Sequence, residues 1–206
     1  MGFSESLAEL RKDTKERKFK QTLDLVINLK GIDLRRDNVA LVITIPHKIK
    51  DKKVCGFLTA KNDLVTTVTK PEFPKYKEPD QLRPLIKEFD FFIAHASLMP
   101  SVASTFGKAL GPSGKMPSPQ LGIITQETPE VIKPLLDKIS KSVKIRLKES
   151  SIKVAAARED MKDEEILENL QTIYDSIVAA LPTKKENVKN VKVKFTMSKP
   201  VLVDVK

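Results

Sequence analysis

The sequence predicts an α+β fold of two domains, in which an α/β segment from the middle of the chain is inserted into a domain built from both ends. The length of 206 residues is enough for one large domain or two small ones. Both ends are rich in alternating strands of the antiparallel type, whereas the middle alternates buried strands with helices, as parallel α/β units do. Two polar junctions, at residues 48–53 and 148–151, separate the two patterns.

The N-terminal part predicts one helix and two strands. Phe3 to Arg11 has apolar residues at spacings of four and three, which is typical of a short amphipathic helix. Thr22 to Leu29 alternates strictly, with leucine or isoleucine at every odd-numbered position, as a half-buried strand does. A polar loop follows at 33–38. A second alternating strand, Val39 to Ile45, then ends at Pro46, which cannot donate to a β-ladder.

The middle of the chain predicts buried strands separated by helices and loops. Val54 to Leu58 is a short apolar run of the kind found in a parallel sheet covered on both faces, and Phe89 to Ala94 is a second one. Four prolines in 71–84 predict mostly loop, with room for one helical turn. The remaining predicted elements are a short helix at Ser101–Phe106, a glycine-rich loop at Gly107–Pro119, a helix at Pro129–Ile139 and a strand at Val143–Leu147.

The C-terminal part returns to the alternating pattern. It predicts a strand at Ile152–Ala157 and the longest helix, Asp163–Leu181, whose acidic first turn suits the positive end of the helix dipole. Strands at Val191–Phe195 and Val201–Val205 follow, the first with lysines on its open face. The predicted domains are therefore 1–52 with 149–206, and 53–148.

Composition excludes several classes of protein. Hydrophobic residues make up 40% of the chain and charged residues 31%, so it can bury a core and is not globally disordered. No apolar run is long enough to span a membrane, and no apolar secretory segment is visible. One cysteine and two histidines exclude an internal disulfide and a Cys/His zinc cluster. We expect no metal, no cofactor and no membrane partner.

The positive charge is concentrated near the two ends. The net charge is +10, and residues 11–20 and 184–206 contribute +4 and +5 of it. Such an excess favours a polyanionic partner, most often nucleic acid, although a single lysine-rich segment is often only a solvated face. If both ends meet in one domain, the two segments build one basic surface.

Candidate catalytic motifs are weak. The segment FGKALGPSGKMP, residues 106–117, resembles a phosphate-binding loop, but Ala109 stands where the Walker pattern needs glycine and Met116 where it needs Ser or Thr. His47 and His95 lack carboxylates at useful spacing, and Cys55 lies in an apolar strand as a small hydrophobe would. We therefore expect that the chain is not an enzyme. The alternative is a nucleotide-dependent enzyme that uses the inserted α/β domain.

Two segments carry a composition that suits RNA. Lys18 to Thr22 begins the first strand, and Lys194 to Pro200 follows the penultimate one. Each combines lysines for phosphates, hydroxyl groups for 2′-OH and backbone oxygens, and a phenylalanine that can pack on ribose or a base. The alternative interpretation is an ordinary basic strand end whose phenylalanine belongs to the core.

The same residues resemble the ribosomal protein L1 family, the large-subunit protein of the mobile stalk beside the exit site. The resemblance covers nearly the whole chain and has an archaeal or eukaryotic character. The motifs that carry it are KFKQTLDLVINLKGIDLR (18–35), Ile45-Pro46-His47, DFFIAHASLMP (90–100), LGPSGKMPSP (110–119) and FTMSKP (195–200).

The resemblance implies a split β-α-β antiparallel-sheet domain, formed by both termini, that holds rRNA, with an inserted Rossmann-like domain. The implied RNA-binding residues are Lys18, Phe19, Thr22, Asp24, Thr196, Met197 and Ser198, to which Lys199 adds a phosphate contact. Ser198 stands where the family usually has glycine. A positive φ at that position would cost serine on the order of 1 kcal/mol.

The implied function is binding. A member of this family binds large-subunit rRNA, aids release of deacylated tRNA from the exit site, and represses translation of its own mRNA. It is a cytoplasmic component of the ribosome and a monomer away from it. A non-ribosomal RNA-binding assembly factor with the same fold is a further alternative.

Overall fold

A computed structural model describes residues 2–13, 18–33, 40–76, 79–119, 121–147 and 149–204. Parts of several predicted features lie outside these residues. They are the basic N-terminal segment (14–17), the loop and second strand (34–39), the proline-rich segment (77–78), the second junction (148), the last strand (205) and the end of the C-terminal basic segment (205–206). The helices and strands, in chain order, are α1 (Phe3–Asp13), β1 (Thr22–Leu29), β2 (Ala40–Thr44), β3 (Val54–Leu58), β4 (Thr66–Thr69), α2 (Pro79–Glu88), β5 (Phe91–His95), α3 (Met99–Ser113), β6 (Ile123–Ile124), α4 (Pro129–Ser140), β7 (Ser142–Arg146), β8 (Ser151–Arg158), α5 (Asp163–Ala180), β9 (Val188–Phe195) and β10 (Val201–Val203).

The chain divides into two compact units, residues 1–49 with 141–206, and residues 50–140. The division falls earlier along the chain than the predicted boundary at 148, because β7 pairs with β2 in the first unit. Ile145 of β7 is buried in the core of that unit.

The first unit contains a four-stranded antiparallel sheet in the order β10-β9-β1-β8. Leu23, Leu25 and Ile27 of β1 are fully buried, while the residues between them are half-buried. The predicted alternation of β1 is therefore confirmed, with the strand at the predicted bounds. β1 is a central strand because both β8 and β9 pair with it.

Helices α1 and α5 cover one face of this sheet. Leu7 and Leu10 of α1 and the stripe of α5 share a single apolar core with the strands. The polar side chain of Asn169, on α5, is fully buried beside this core. Its Oδ1 accepts the N–H of His47 (3.0 Å), and its Nδ2 donates to the carbonyls of His47 (3.0 Å) and Ala156 (3.1 Å). Asn169 thus ties the end of the β2 segment to β8.

The second unit contains a parallel sheet in the order β4-β3-β5-β6. Apolar clusters cover both of its faces, as the buried runs predict. Phe57, Phe92 and Phe106 pack on one side, with the ring centroids of Phe57 and Phe106 4.7 Å apart. Ile93 and Ile132 belong to the cluster on the other side. Cys55 is buried, and burial raises the pKa of its thiol to about 12.

Two loop predictions in this unit are wrong. The segment that starts at Gly107 continues α3 as far as Ser113, because Leu110 extends the buried stripe of Phe106 and burial outweighs the poor helix propensity of glycine. The helix ends at Gly114, whose φ of 72° is the left-handed C-cap conformation. The proline-rich segment forms a 3₁₀-helix at Lys70–Tyr76 and the helix α2.

Replacing Asn169 by alanine tests the link between α5, β8 and the β2 segment. The change leaves one buried N–H and two carbonyls without their partner, so Asn169→Ala should lower the free energy of unfolding by about 2–4 kcal/mol. Urea unfolding followed by circular dichroism measures the loss. Gln171→Ala, on the exposed face of the same helix, should change it by less than about 0.5 kcal/mol. Equal losses would contradict the role given to Asn169.

Candidate nucleic-acid interface

The start of β1 and the end of β9 lie side by side, because the two strands are antiparallel neighbours with Leu23 opposite Phe195. The N–H of Thr196 donates to the carbonyl of Thr22 (3.1 Å), and the N–H of Thr22 donates to Oγ1 of Thr196 (3.1 Å). The two segments predicted to suit RNA, from opposite ends of the chain, are therefore joined at one end of the sheet.

A tight turn follows β9. The N–H of Ser198 donates to the carbonyl of Phe195 (3.1 Å), and the hydroxyl of Ser198 accepts the N–H of Phe195 (2.8 Å). Among the described residues, Lys184 is the only non-glycine residue with a positive φ, so Ser198 has an ordinary backbone conformation. The strain expected of serine in place of a positive-φ glycine is absent, and its hydroxyl closes the turn.

Gln21 connects three chain segments at this end of the sheet, and it was not among the predicted site residues. Its Oε1 accepts the N–H of Met197 (3.2 Å), its N–H donates to Glu159 (3.0 Å) and its carbonyl accepts from Glu159 (2.9 Å). The side chain is only 2% exposed. The alternation of β1 could have predicted this role. Gln21 lies two residues before the buried Leu23 and so faces the same side of the sheet, and a buried side-chain amide needs hydrogen-bond partners.

Two large apolar side chains are exposed here. Phe19 is 50% exposed and Met197 is 58% exposed, which is unusual for side chains of this size near a strand end. Phe195, by contrast, is fully buried in the core. The core interpretation therefore holds for the phenylalanine of the second segment, and the exposed positions are Phe19 and Met197.

The cations around these side chains differ in their partners. Lys20 pairs with Asp160 (2.8 Å), and Arg158 approaches the same carboxylate (3.4 Å). Lys18 and Lys199 are both exposed, and no carboxylate of the described residues lies within ion-pair distance of either. Lys18 and Lys199 are thus the cations of the site best placed to meet an external phosphate.

The face of the sheet opposite the core extends this polar character. Asp24 on β1 lies opposite Lys194 on β9, and Val26 lies between Lys192 and Lys153. Asp24 is half-buried, and burial raises the pKa of its carboxyl while the charge of Lys194 acts in the opposite direction. A hydrogen bond accepted by this carboxylate from a 2′-OH or a base amine would replace solvent it has already lost.

Other candidate groups have structural roles. The Nζ of Lys115 donates to the carbonyls of Ile86 (2.6 Å) and Phe89 (2.7 Å) at the C-terminal end of α2, so it is not directed at a phosphate. His47 pairs with Glu168 (2.7 Å), and His95 with Ser97 and Thr125.

At the carboxyl end of β3, where parallel sheets commonly bind anions, Glu127 accepts the N–H groups of Thr59 (2.7 Å) and Ala60 (3.3 Å). The described part of the chain contains no group of three or more potential metal ligands. None of its helices combines the length and apolar character needed to cross a membrane.

Comparisons with known proteins agree with the resemblance noted from the motifs. The model of the ribosomal protein L1p/L10e family matches residues 10–199. The chain is 34% identical to the large ribosomal subunit protein uL1 of Pyrococcus abyssi, over 97% of this chain and 94% of that protein. It is 33% identical to uL1 of Thermococcus kodakarensis, over 97% and 95%, and 32% identical to uL1 of Methanothermococcus thermolithotrophicus, over 97% and 96%. The chain therefore belongs to the ribosomal protein L1p/L10e family and is of the archaeal type.

Proposed function

We propose that this chain is a component of the large ribosomal subunit and that its first unit binds the rRNA of the mobile stalk. Its family and the names of its relatives support the ribosomal role. The observation that carries the RNA-binding site is the hydrogen-bonded junction of Thr22 with Thr196. It joins the two basic segments and leaves Phe19 and Met197 exposed beside them.

The proposed site binds folded RNA and catalyses no reaction. Lys18 and Lys199 contact phosphates, the hydroxyl groups of the junction contact 2′-OH and backbone oxygens, and Phe19 and Met197 pack on ribose or base surfaces. Asp24 accepts a hydrogen bond from the RNA. The family is a structural component of the ribosome, and the chain is not an enzyme.

The two units take different parts in this proposal. The antiparallel unit, close to the predicted 1–52 and 149–206, is the rRNA-binding domain. The unit with the parallel sheet, close to 53–148, is an inserted Rossmann-like domain, a role that its helices and all-parallel pairing support. On the cytoplasmic ribosome it is carried with the stalk and helps release deacylated tRNA from the exit site.

We further propose that the same surface binds the leader of the chain's own mRNA and represses its translation. A site that recognises shape and 2′-OH groups can accept a leader that folds like the rRNA. In a mobility-shift assay the leader should compete with the rRNA fragment, and Phe19→Ala should weaken binding of both RNAs by similar factors. Equal affinity for the leader and a scrambled RNA of the same length would remove the repressor proposal.

The exposed apolar pair gives the sharpest test of the rRNA site. Phe19→Ala should weaken binding of a stalk rRNA transcript about tenfold, as loss of base–aromatic stacking worth about 1–3 kcal/mol does. Met197→Ala should weaken it about fivefold, because the apolar contact of the thioether side chain is lost. Fluorescence anisotropy measures the affinity. Leu64→Ala is the matched control, since this exposed apolar side chain lies in the second unit, and it should change Kd by less than about twofold. Equal effects of all three would place the site elsewhere.

The salt dependence of binding tests the lysines. With about five lysines on phosphates, log K should fall against log salt with a slope of about −4. The double change Lys18→Ala and Lys199→Ala should make the slope shallower by about 2.

The control removes the exposed Lys108 and Lys133 of α3 and α4, so it has the same net charge as the test variant. It should keep the wild-type slope. An unchanged slope in the Lys18 and Lys199 variant would show that these lysines do not contact phosphates.

A further inference from the structure

A second group of basic side chains lies at the other end of β1. Lys144 and Arg146 of β7 and Lys153 of β8 line a cavity of about 290 Å³, together with Ser151 and Glu149. Ser151 lies opposite Asn28, whereas the junction described above lies at Thr22. The length of β1, roughly 20 Å at about 3.3 Å per residue, separates the two places.

Strand alternation explains why the cations gather here. Ile145 on β7 and Ile152 on β8 are buried in the core of the first unit. Successive side chains of a strand point to opposite faces, so Lys144 and Arg146 share the outward face of β7. Lys153 shares the outward face of β8 with Ser151 for the same reason. The two strands follow each other in the chain, and the outward side chains of β7 and β8 line the same cavity.

The residues that line the cavity carry more positive than negative charge. Its lining has three cationic side chains and one carboxylate, Glu149, which lies 3.4 Å from Lys153 in an exposed ion pair. Such an exposed pair is weak and can rearrange. Burial lowers the pKa of the Lys144 ammonium, and the positive charge of Arg146 adds to the effect. An anion in the cavity would relieve this repulsion between neighbouring cations.

The cavity also contains an unsatisfied donor. The hydroxyl oxygen of Ser151 is shielded from solvent, and within the described part of the chain it has no hydrogen-bond partner. Buried hydroxyl groups are seldom left in this state, and one beside a cavity indicates an ion or water that belongs there. Cationic side chains with a hydroxyl donor form the usual lining of a phosphate site.

We propose that this cavity binds a phosphate group of the RNA held by the first unit, as a second anchor beyond the surface around Phe19 and Met197. The inference rests on the proposed function and extends it. Two anchors on the first unit fix the direction in which the RNA backbone crosses it, because a single cluster of contacts leaves the RNA free to pivot. The second anchor thus contributes to orientation as well as to affinity.

Removing the two β7 cations tests the second anchor. In the stalk rRNA assay, Lys144→Ala with Arg146→Ala should weaken binding about tenfold and, because one phosphate contact is lost, make the salt slope shallower by about 1. The Lys108 and Lys133 control should stay within about twofold of the wild type. In hydroxyl-radical footprints the variant should lose protection of nucleotides other than those lost by the Lys18 and Lys199 variant. Loss at the same nucleotides would overturn the proposal.

Removing the carboxylate of Glu149 should increase RNA affinity, a result that misfolding of the variant would not produce. Glu149→Gln should tighten RNA binding about threefold, because a negative charge leaves the cavity. Glu130→Gln, on α4 of the second unit, makes the same change of charge and should have a smaller effect. Equal effects of the two substitutions would count against a specific anchor.

The hydroxyl of Ser151 gives two independent readouts. Ser151→Ala should weaken RNA binding about threefold while the urea midpoint of the free protein stays the same or rises, since the alanine leaves no unsatisfied donor. A lower midpoint with unchanged RNA affinity would show a purely structural hydroxyl and overturn its role.

The assay also separates this inference from the proposed function. If the Lys18 and Lys199 variant loses affinity and the Lys144 and Arg146 variant matches the control, the second anchor is wrong and the rRNA site stands. If only the Lys144 and Arg146 variant loses affinity, the cavity is supported and the proposed rRNA surface is wrong. If neither loses affinity, both are wrong.

Discussion

The antiparallel pairing of β1 with β9 is the interaction on which the rest of the first unit depends. It joins strands from opposite ends of the chain, with Leu23 opposite Phe195, and it makes the two basic segments neighbours although they are far apart in sequence. Apolar burial stabilises the pairing, because Leu23, Leu25 and Phe195 are fully buried. The polar surface at the end of these strands is therefore positioned by the core beneath it.

The hydrogen bonds of the molecule distinguish structural polar groups from those left for a ligand. Lys115 and Glu127 bind backbone groups of the second unit, and Asn169 does so in the first. These side chains are committed to the fold. The lysines at 18 and 199 have no such commitment among the described residues, and they stand next to exposed apolar side chains. The polar side chains bonded to the backbone thus stabilise the fold of each unit, while Lys18 and Lys199 remain available to bind a polyanion.

Periodicity alone predicted much of the fold. The strands Thr22–Leu29 and Val54–Leu58 have the predicted bounds, and α5 ends one residue from its predicted end, because strong alternation and a long apolar stripe leave few alternatives. The helix through Gly107 was missed, since tertiary burial of Leu110 overrides local propensity. The short β4 and β6 were missed because four and two residues carry too little pattern. For the site, the exposed positions were predicted from motif resemblance. The hydrogen bonds of Gln21 to Met197 and Glu159 depend on partners that sequence spacing does not reveal.

The central claim is that the joined ends of the chain form the RNA-binding surface, and methionine methyl groups report on it directly. Met197 is exposed on that surface, while Met99 and Met116 lie in the second unit and Met161 is near the core of the first. In a methyl NMR titration of the full chain with the stalk rRNA, the Met197 resonance should shift or broaden first and most strongly. Changes at Met99 and Met116 with an undisturbed Met197 would contradict it.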